Sequence, residues 1–184
     1  NFVAGVISTF KNGTKATNTF TTTGNWSTPS NWGLGVVPTQ VDKVTINSGK
    51  TVTIDVDDLK IDDFTLENTA VLSIPKDKEI TIQNSFNSSG TLELSSNKTN
   101  SGVLLVEGTS TGTVTYKRGG LLANKWSIVT PPVAGQKIKE FAENVANNIR
   151  KRTDITPNKY AISYYDDSQP SGQKWVYYFA DMDE

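Results

Sequence analysis

Short segments rich in β-branched residues recur between residues 44 and 118, separated by turns that contain Gly, Asn, Asp or Ser. Apolar residues alternate within each segment, which is the pattern of a β-strand with one buried face. The segments are VTI (44–46), TVTID (51–55), FTLE (64–67), VLSI (71–74), EITIQ (79–83), TLEL (91–94), VLLVEG (103–108) and TVTYKR (113–118). Related strands return about every 20 to 23 residues, a period typical of a parallel β-solenoid. The sequence therefore predicts a stack of similar coils.

The alternation also predicts which side chains lie inside the coils, because every second residue of a strand points to the same face. The side chains expected to point inward are those of Val44, Ile46, Val52, Ile54, Leu66, Leu72, Ile74, Ile80, Ile82, Leu92, Leu94, Val114 and Tyr116. Their neighbours, such as Thr45, Thr53 and Glu93, are expected to face solvent.

The regions that flank the coils have different patterns. Residues 1–23 hold two strand-like runs around the Asn12-Gly13 step, which is typical of a tight turn, and are expected to form a hairpin or cap. Residues 24–118 are assigned to the β-helix, in which a loop containing Trp26 and Trp32 is expected to cover a coil end.

Residues 119–184 are predicted to form a small α+β domain. Apolar residues repeat at three- and four-residue steps from Ile138 to Ile149, which predicts a helix whose basic end begins at Arg150. Two aromatic strands follow, and because no later element covers them we expect the native protein to continue. The predicted fold class is mainly β: a short parallel, right-handed β-helix or solenoid followed by this α+β domain.

Composition limits the chemistry that the chain can perform. Its 184 residues include no Cys and no His, so thiolate chemistry and the commonest general base are missing. The net charge is −1 and both signs are interspersed, which argues against a nucleic-acid partner. No apolar run approaches the ~18 residues that a membrane-spanning helix needs. We therefore predict a chain that is not an enzyme, binds no nucleic acid and has no membrane-spanning segment.

Two groups of side chains are candidate binding sites. Asp55, Asp57 and Asp58 lie close together in sequence, and such oxygen ligands can hold calcium at a coil corner; the alternative is that they are solvated turn carboxylates and that no cofactor is bound. The aromatic residues include candidates for stacking on sugar rings, whereas the alternative places them in the core. The carbohydrate-binding candidates are Trp32, Trp175 and Tyr178.

Several short motifs support comparison with a family. The segment GNWSTPSNWGLGVVPTQVDKVTINSGKTVTID (24–55) resembles the opening of β-helical, adhesin-like surface proteins that Bacteroidota export by the type IX secretion system. The run GTVTYKRGGLLANKWSIVTPPVAGQKI (112–138) resembles the element that often follows it, and Tyr165-Asp166 and Trp175-Val176-Tyr177 match a later segment. The resemblance implies an extracellular or cell-surface protein that meets the outer-membrane secretion translocon during export.

These observations favour a non-enzymatic stalk or adhesin module at the cell surface. The rich content of Thr, Ser, Asn and Gly also resembles bacterial secreted and surface proteins. The alternative is a carbohydrate-binding module, or a fragment of a polysaccharide-degrading β-helix protein, whose partner would be an extracellular polysaccharide.

Overall fold

The computed structural model describes residues 15–122, 124–130 and 134–182. The chain divides into two compact units, Asn1–Thr130 and Pro131–Glu184. The strands of the described residues are β1 Thr17–Phe20, β2 Gly24–Asn25, β3 Lys43–Ile46, β4 Thr51–Thr53, β5 Leu59–Leu66, β6 Val71–Ile74, β7 Glu79–Ser88, β8 Thr91–Ser96, β9 Val103–Val106, β10 Thr109–Thr111, β11 Val114–Arg118, β12 Lys151–Arg152, β13 Lys159–Tyr165 and β14 Trp175–Phe179. The helices there are α1 Ile138–Glu143 and two 3₁₀ turns, Pro29–Asn31 and Val145–Asn147.

The first unit is a parallel β-solenoid of about five turns, which confirms the predicted fold class. One sheet has the order β1-β3-β5-β7-β10, with β9 also paired to β7, and the other has the order β11-β8-β6-β4-β2. Each turn of the chain contributes to the first sheet and then to the second, so that each coil hydrogen-bonds to the coil before it and the coil after it.

The register confirms the repeat length. Val52 lies opposite Leu72, and Leu72 lies opposite Leu92, which are steps of 20 residues. In the other sheet Phe64 lies opposite Phe86, a step of 22 residues. Equivalent apolar side chains therefore stack directly above one another along the inside of the solenoid.

The interior is apolar, as the alternation predicted. Ten of the thirteen side chains predicted to point inward are buried, and Ile46, Ile54, Leu72 and Ile80 are fully inaccessible to solvent. Leu94 and Tyr116 are partly buried. Val114 shares the inward face with Leu92, which lies opposite it, but it is 37% exposed because β11 is at the end of its sheet, with no further coil over it among the described residues.

The N-terminal strand differs from the predicted hairpin. The first arm of that hairpin and its Asn12-Gly13 turn lie outside the described residues. The second arm is β1, which pairs in parallel with β3, so that Thr17 lies opposite Lys43. The described part of this region therefore belongs to the first coil of the solenoid.

The loop after β2 closes the first coil. Its residue Gly33 donates its backbone N–H to the Thr19 carbonyl (2.8 Å), and the Asn31 carbonyl accepts from Thr21 (2.8 Å), which satisfies part of the edge of β1. The buried side chain of Asn18 binds the same loop through the Val36 carbonyl (2.7 Å). Exposed strand edges are prone to unwanted pairing, and this loop covers one.

Two tryptophans of this loop fill the end of the core. Trp26 is fully buried and Trp32 is 3% exposed. The Trp32 ring packs edge-on against Trp26 (4.7 Å between centroids) and Phe20 (4.9 Å), and its indole N–H donates to the Trp26 carbonyl (2.8 Å). Trp26 in turn stacks over Phe64, two coils further along the solenoid (6.2 Å).

The second unit is built on the antiparallel sheet β12-β13-β14 and the short helix α1. The predicted helix from Ile138 to Ile149 is wrong in length, because α1 ends at Glu143 and Val145 is 93% exposed. Asn144 adopts an extended backbone, and its side chain accepts the N–H of Ala146 (3.0 Å). Asparagine competes for backbone hydrogen bonds in this way, which ends the helix early.

The basic residues that follow are consequently not a helix terminus. Lys151 and Arg152 form strand β12, in which Lys151 lies opposite Tyr160 and Arg152 lies opposite Lys159. The predicted basic end of the helix is therefore wrong. None of the helices in the described residues has the length and apolar character required to cross a membrane.

Candidate functional site

The strongest candidate site is one face of the C-terminal sheet, which we call the aromatic-basic face. It consists of Arg150, Arg152, Lys159, Tyr165, Trp175 and Tyr177. Alternate residues of each strand share a face, and cross-strand neighbours lie on the same face. Arg152 lies opposite Lys159, Tyr165 opposite Trp175, and Tyr177 opposite Ser163, so the sheet brings these side chains to one side.

Two exposed rings form one end of this face. The ring centroids of Tyr165 and Trp175 are 5.3 Å apart in an edge-to-face arrangement. Tyr165 is 55% exposed and Trp175 is 56% exposed. Burial of such rings is a large source of binding free energy, so a pair left half in solvent is suited to contact with an apolar surface.

Positive charge dominates the other end. The ammonium of Lys159 lies 3.9 Å from the centroid of the Tyr177 ring and 5.8 Å from that of Phe179, which holds it by cation–π attraction. Arg150 lies beside it, because its carbonyl accepts the N–H of Ala161 (2.8 Å). Within the described ranges, neither Arg150 nor Lys159 forms an ion pair with a carboxylate.

The charge of Arg152, unlike that of Arg150 and Lys159, is balanced by a carboxylate of a described residue. Its guanidinium donates to both carboxylate oxygens of Asp154, at 2.9 and 3.1 Å, and this hydrogen bonding lowers the pKa of Asp154. Arg150, Arg152, Lys159 and Tyr177 are among the residues that line a groove of about 500 Å³. The groove is therefore cationic, and among the described residues Arg150 and Lys159 supply the charge that no carboxylate pairs with.

The opposite face of the sheet has a structural role. Tyr160 is 1% exposed and its hydroxyl donates to Glu143 of α1 (2.5 Å). Burial, together with this hydrogen bond, raises the pKa of Tyr160 to about 12. Glu143 also binds Lys151, and the pKa of its carboxyl is lowered by that ion pair. This face anchors the helix to the sheet.

The three residues predicted to bind carbohydrate do not form one site. Trp32 is buried in the cap of the solenoid, so its prediction as a sugar-stacking residue is wrong. Tyr178 alternates with Trp175 and Tyr177 and packs against Tyr164 on the opposite face, with ring centroids 5.2 Å apart. Trp175 alone lies on the aromatic-basic face.

The predicted calcium ligands are engaged separately. Asp55 accepts the backbone N–H (2.9 Å) and the hydroxyl (2.6 Å) of Ser27, and Asp57 forms an ion pair with Lys78 (2.7 Å). Asp58 has a positive φ of 50° and lines an open groove of about 470 Å³ with Asp57 and Asp77. Across residues 15–122, 124–130 and 134–182, no group of three or more acidic side chains is placed to hold a metal ion.

Sequence reasoning did not single out Lys159, left Tyr165 among the many aromatic residues, and gave Arg150 to a helix end. The alternation in KYAISYY and WVYYF indicates that Tyr165 and Trp175 lie on the same face once the two strands pair. The signal for Arg150 was hidden, because the basic run was assigned to a helix end.

Comparison with known proteins gives a family but no activity. No curated protein and no solved structure matches the chain. A family model described as a domain of unknown function (DUF8693) matches residues 17–169. This range begins at β1 and extends beyond β13, so it includes every coil that the described residues form and most of the second unit. The chain therefore belongs to the family defined by the domain of unknown function DUF8693.

Proposed function

We propose that the chain is a non-enzymatic spacer module of an adhesin-like protein at the cell surface. The observation that carries the proposal is the strand order of the two solenoid sheets, in which each strand pairs with strands of the preceding and following coils. In such a stack, the number of coils sets the length of the module. Its stability is approximately the sum of the free energy of each coil and the free energy of each interface between neighbouring coils.

The dimensions of the stack suit this role. Adjacent parallel strands lie about 4.8 Å apart, so each added coil extends the module by that distance. The side chains inside are apolar and continuous from Phe20 to Leu92, which couples each coil to the next. A protein built in this way can hold a distal domain away from a membrane without a catalytic residue of its own.

The route to the surface is part of the same proposal. The tryptophan-containing loop and the motifs around Tyr116 and Trp126 resemble β-helical proteins of Bacteroidota that the type IX secretion system exports. On this basis we propose that the protein is extracellular and that it contacts the outer-membrane translocon during export.

The localisation is tested in a producing bacterium. An antibody against this module should label intact cells, and external protease should remove the label. Inactivation of the translocon should leave the module inside the cell. A module that resists external protease on intact cells and fractionates with the cytoplasm would overturn the proposal.

The spacer role is tested by removing one coil in register. Val71 lies opposite Thr91, so deletion of residues 71–90 joins Ala70 to Thr91 and places Thr91 at the position of Val71. We expect the shortened protein to remain folded by circular dichroism and the cells to adhere as before. Loss of adhesion by cells that display the folded, shortened module would contradict a spacer role.

A further inference from the structure

We propose that the aromatic-basic face binds an extended acidic polysaccharide. Tyr165 and Trp175 would cover the apolar faces of sugar rings, and Arg150 and Lys159 would bind carboxylates carried by other rings of the same chain. This is a ligand-binding activity of the second unit, separate from the spacer role of the solenoid.

The aromatic end provides the apolar contact. The C–H surface of a sugar ring is apolar, and an aromatic ring gains free energy by removing that surface from water. Tyr165 and Trp175 are each more than half exposed, although their edge-to-face contact fixes their relative orientation. A preformed pair of this kind loses little conformational entropy on binding.

The basic end selects for negative charge. Arg150 and Lys159 form no ion pair among the described residues, and Lys159 is held over Tyr177 at 3.9 Å. A guanidinium binds a carboxylate through paired hydrogen bonds, which makes such pairs both strong and geometrically specific. A uronate-containing polymer presents carboxylates and apolar ring faces along one chain, which matches both ends of the face.

The length of the face requires an oligosaccharide. From Trp175 to Phe179 the strand covers ~13 Å at ~3.3 Å per residue. The aromatic pair lies near one end of this strand, and Lys159 lies opposite Phe179 at the other. One sugar cannot contact both ends, so affinity should rise with chain length until the ligand spans the face.

The charge distribution favours an acidic glycan over single-stranded nucleic acid. Nucleic-acid grooves neutralise a phosphate on successive nucleotides, which demands a continuous basic track. Here Asp154 compensates Arg152, and Asp167 forms an ion pair with Lys174 beside Trp175. Arg150 and Lys159 are the two cations that form no ion pair among the described residues. Two such cations match a polymer with spaced carboxylates better than a polymer with a phosphate on every unit.

The test is calorimetric titration of the whole chain with oligogalacturonates of increasing length. Three arms are compared: the acidic oligomer, its fully methyl-esterified form, and an oligothymidylate. We expect binding of the acidic oligomer, with loss of at least about 10-fold in affinity, or ~1.4 kcal/mol, on esterification. Equal binding of the esterified form, or tighter binding of the oligothymidylate, would overturn the proposal.

Substitutions locate the site. Trp175→Ala should weaken binding of the acidic oligomer by about 10-fold or more, and Lys159→Ala should weaken it and reduce its dependence on salt. The matched controls in the first unit are Trp126→Ala and Lys60→Ala, whose side chains are also exposed. Each variant is checked by circular dichroism. If folded Trp175→Ala and Lys159→Ala proteins bind as the unsubstituted chain does, the inference is wrong.

Discussion

Gly90 shows how closely neighbouring coils approach at a corner. It lies between β7 and β8, where a β-carbon would come within 2.4 Å of the Ala70 carbonyl oxygen and 2.6 Å of the Glu67 carbonyl oxygen. These atoms belong to the backbone of the preceding coil, which cannot move aside without breaking the stack. The corner is therefore closed to any side chain.

We expect Gly90→Ala to lower the free energy of unfolding by about 1–3 kcal/mol, because overpacking forces the backbone apart. Gly33→Ala is the matched control, since a β-carbon there would meet its nearest atom at an ordinary 3.5 Å. The control should change stability by less than about 0.5 kcal/mol. Denaturant unfolding measures both values, and equal effects would contradict this account of the corner.

Tyr160 is the residue that should give the second unit a response to alkali. Its pKa is about 12 in the folded protein, above the ordinary value of 10.0. A raised pKa means that the fold favours the protonated phenol, so the stabilisation is complete below pH 10 and is lost as the pH rises to about 12.

Titration of tyrosinate absorbance should accordingly show a step near pH 12, and Tyr160→Phe should remove that late step. The substitution should also reduce stability near neutral pH by about 1 kcal/mol, the value of a lost hydrogen bond. Tyr164→Phe is the control, because Tyr164 lies on the same face but is 38% exposed. A late step that persists in Tyr160→Phe would assign it to another residue.

At the scale of elements, the cap loop is anchored in the core by Trp32 and its contacts with Phe20 and Trp26. These buried rings act together with the hydrogen bonds that join the loop to β1. The aromatic column that begins at Trp32 continues into the solenoid through Trp26, Phe64 and Phe86.

Trp32→Ala should therefore lower the free energy of unfolding of the first unit by about 3–5 kcal/mol, the usual cost of removing a buried aromatic side chain. Trp175→Ala removes an equally large ring that is 56% exposed, and should cost far less. Thermal unfolding followed by circular dichroism compares the two. A similar loss in both variants would show that burial does not determine these contributions.

Strand β5 shows where sequence patterning succeeds and where it fails. Its second half was predicted from the alternation of Phe64 and Leu66, whereas its first half, which contains Asp62 and Asp63, was not among the predicted strands. Asp62 is instead buried in the strand, where Lys15 and Asn84 bind it. These partners lie 47 and 22 residues away, so local sequence carries no sign of them.

Asp63, on the outer side of the strand, also has its partners on neighbouring coils. Its carboxylate accepts from the Ser85 hydroxyl (2.7 Å) and forms an ion pair with Lys43 (3.0 Å), both on neighbouring coils. These interactions lower the pKa of Asp63. The repeat predicted the coils, but only the inter-coil register could show that an acidic pair belongs to a strand.

For the whole molecule, the two compact units differ in the origin of their stability. The solenoid has a continuous apolar core, whereas the second unit rests on a small sheet, and Tyr160 and Ala142 are the buried apolar residues among its described residues. The sequence indicated this division through its change in periodicity, but it placed the boundary at residue 119. Contacts place the boundary between Thr130 and Pro131.

Each unit should respond to substitutions within itself. We expect Trp32→Ala to raise amide hydrogen exchange across residues 15–130, and Tyr160→Phe to raise it across residues 134–182, because each unit is compact in its own contacts and can open locally. Mass spectrometry of proteolytic fragments resolves the two regions. If either substitution raises exchange equally in both, the units are thermodynamically coupled.

The closure of the first coil by its own loop has a consequence for biogenesis. Nascent chains emerge with the N-terminus first, so residues up to 42 are available before any later coil has been made. The loop then shields one side of that coil and leaves only the other as a template. We therefore expect the stack to grow in one direction, with each newly made coil docking on a single ordered neighbour.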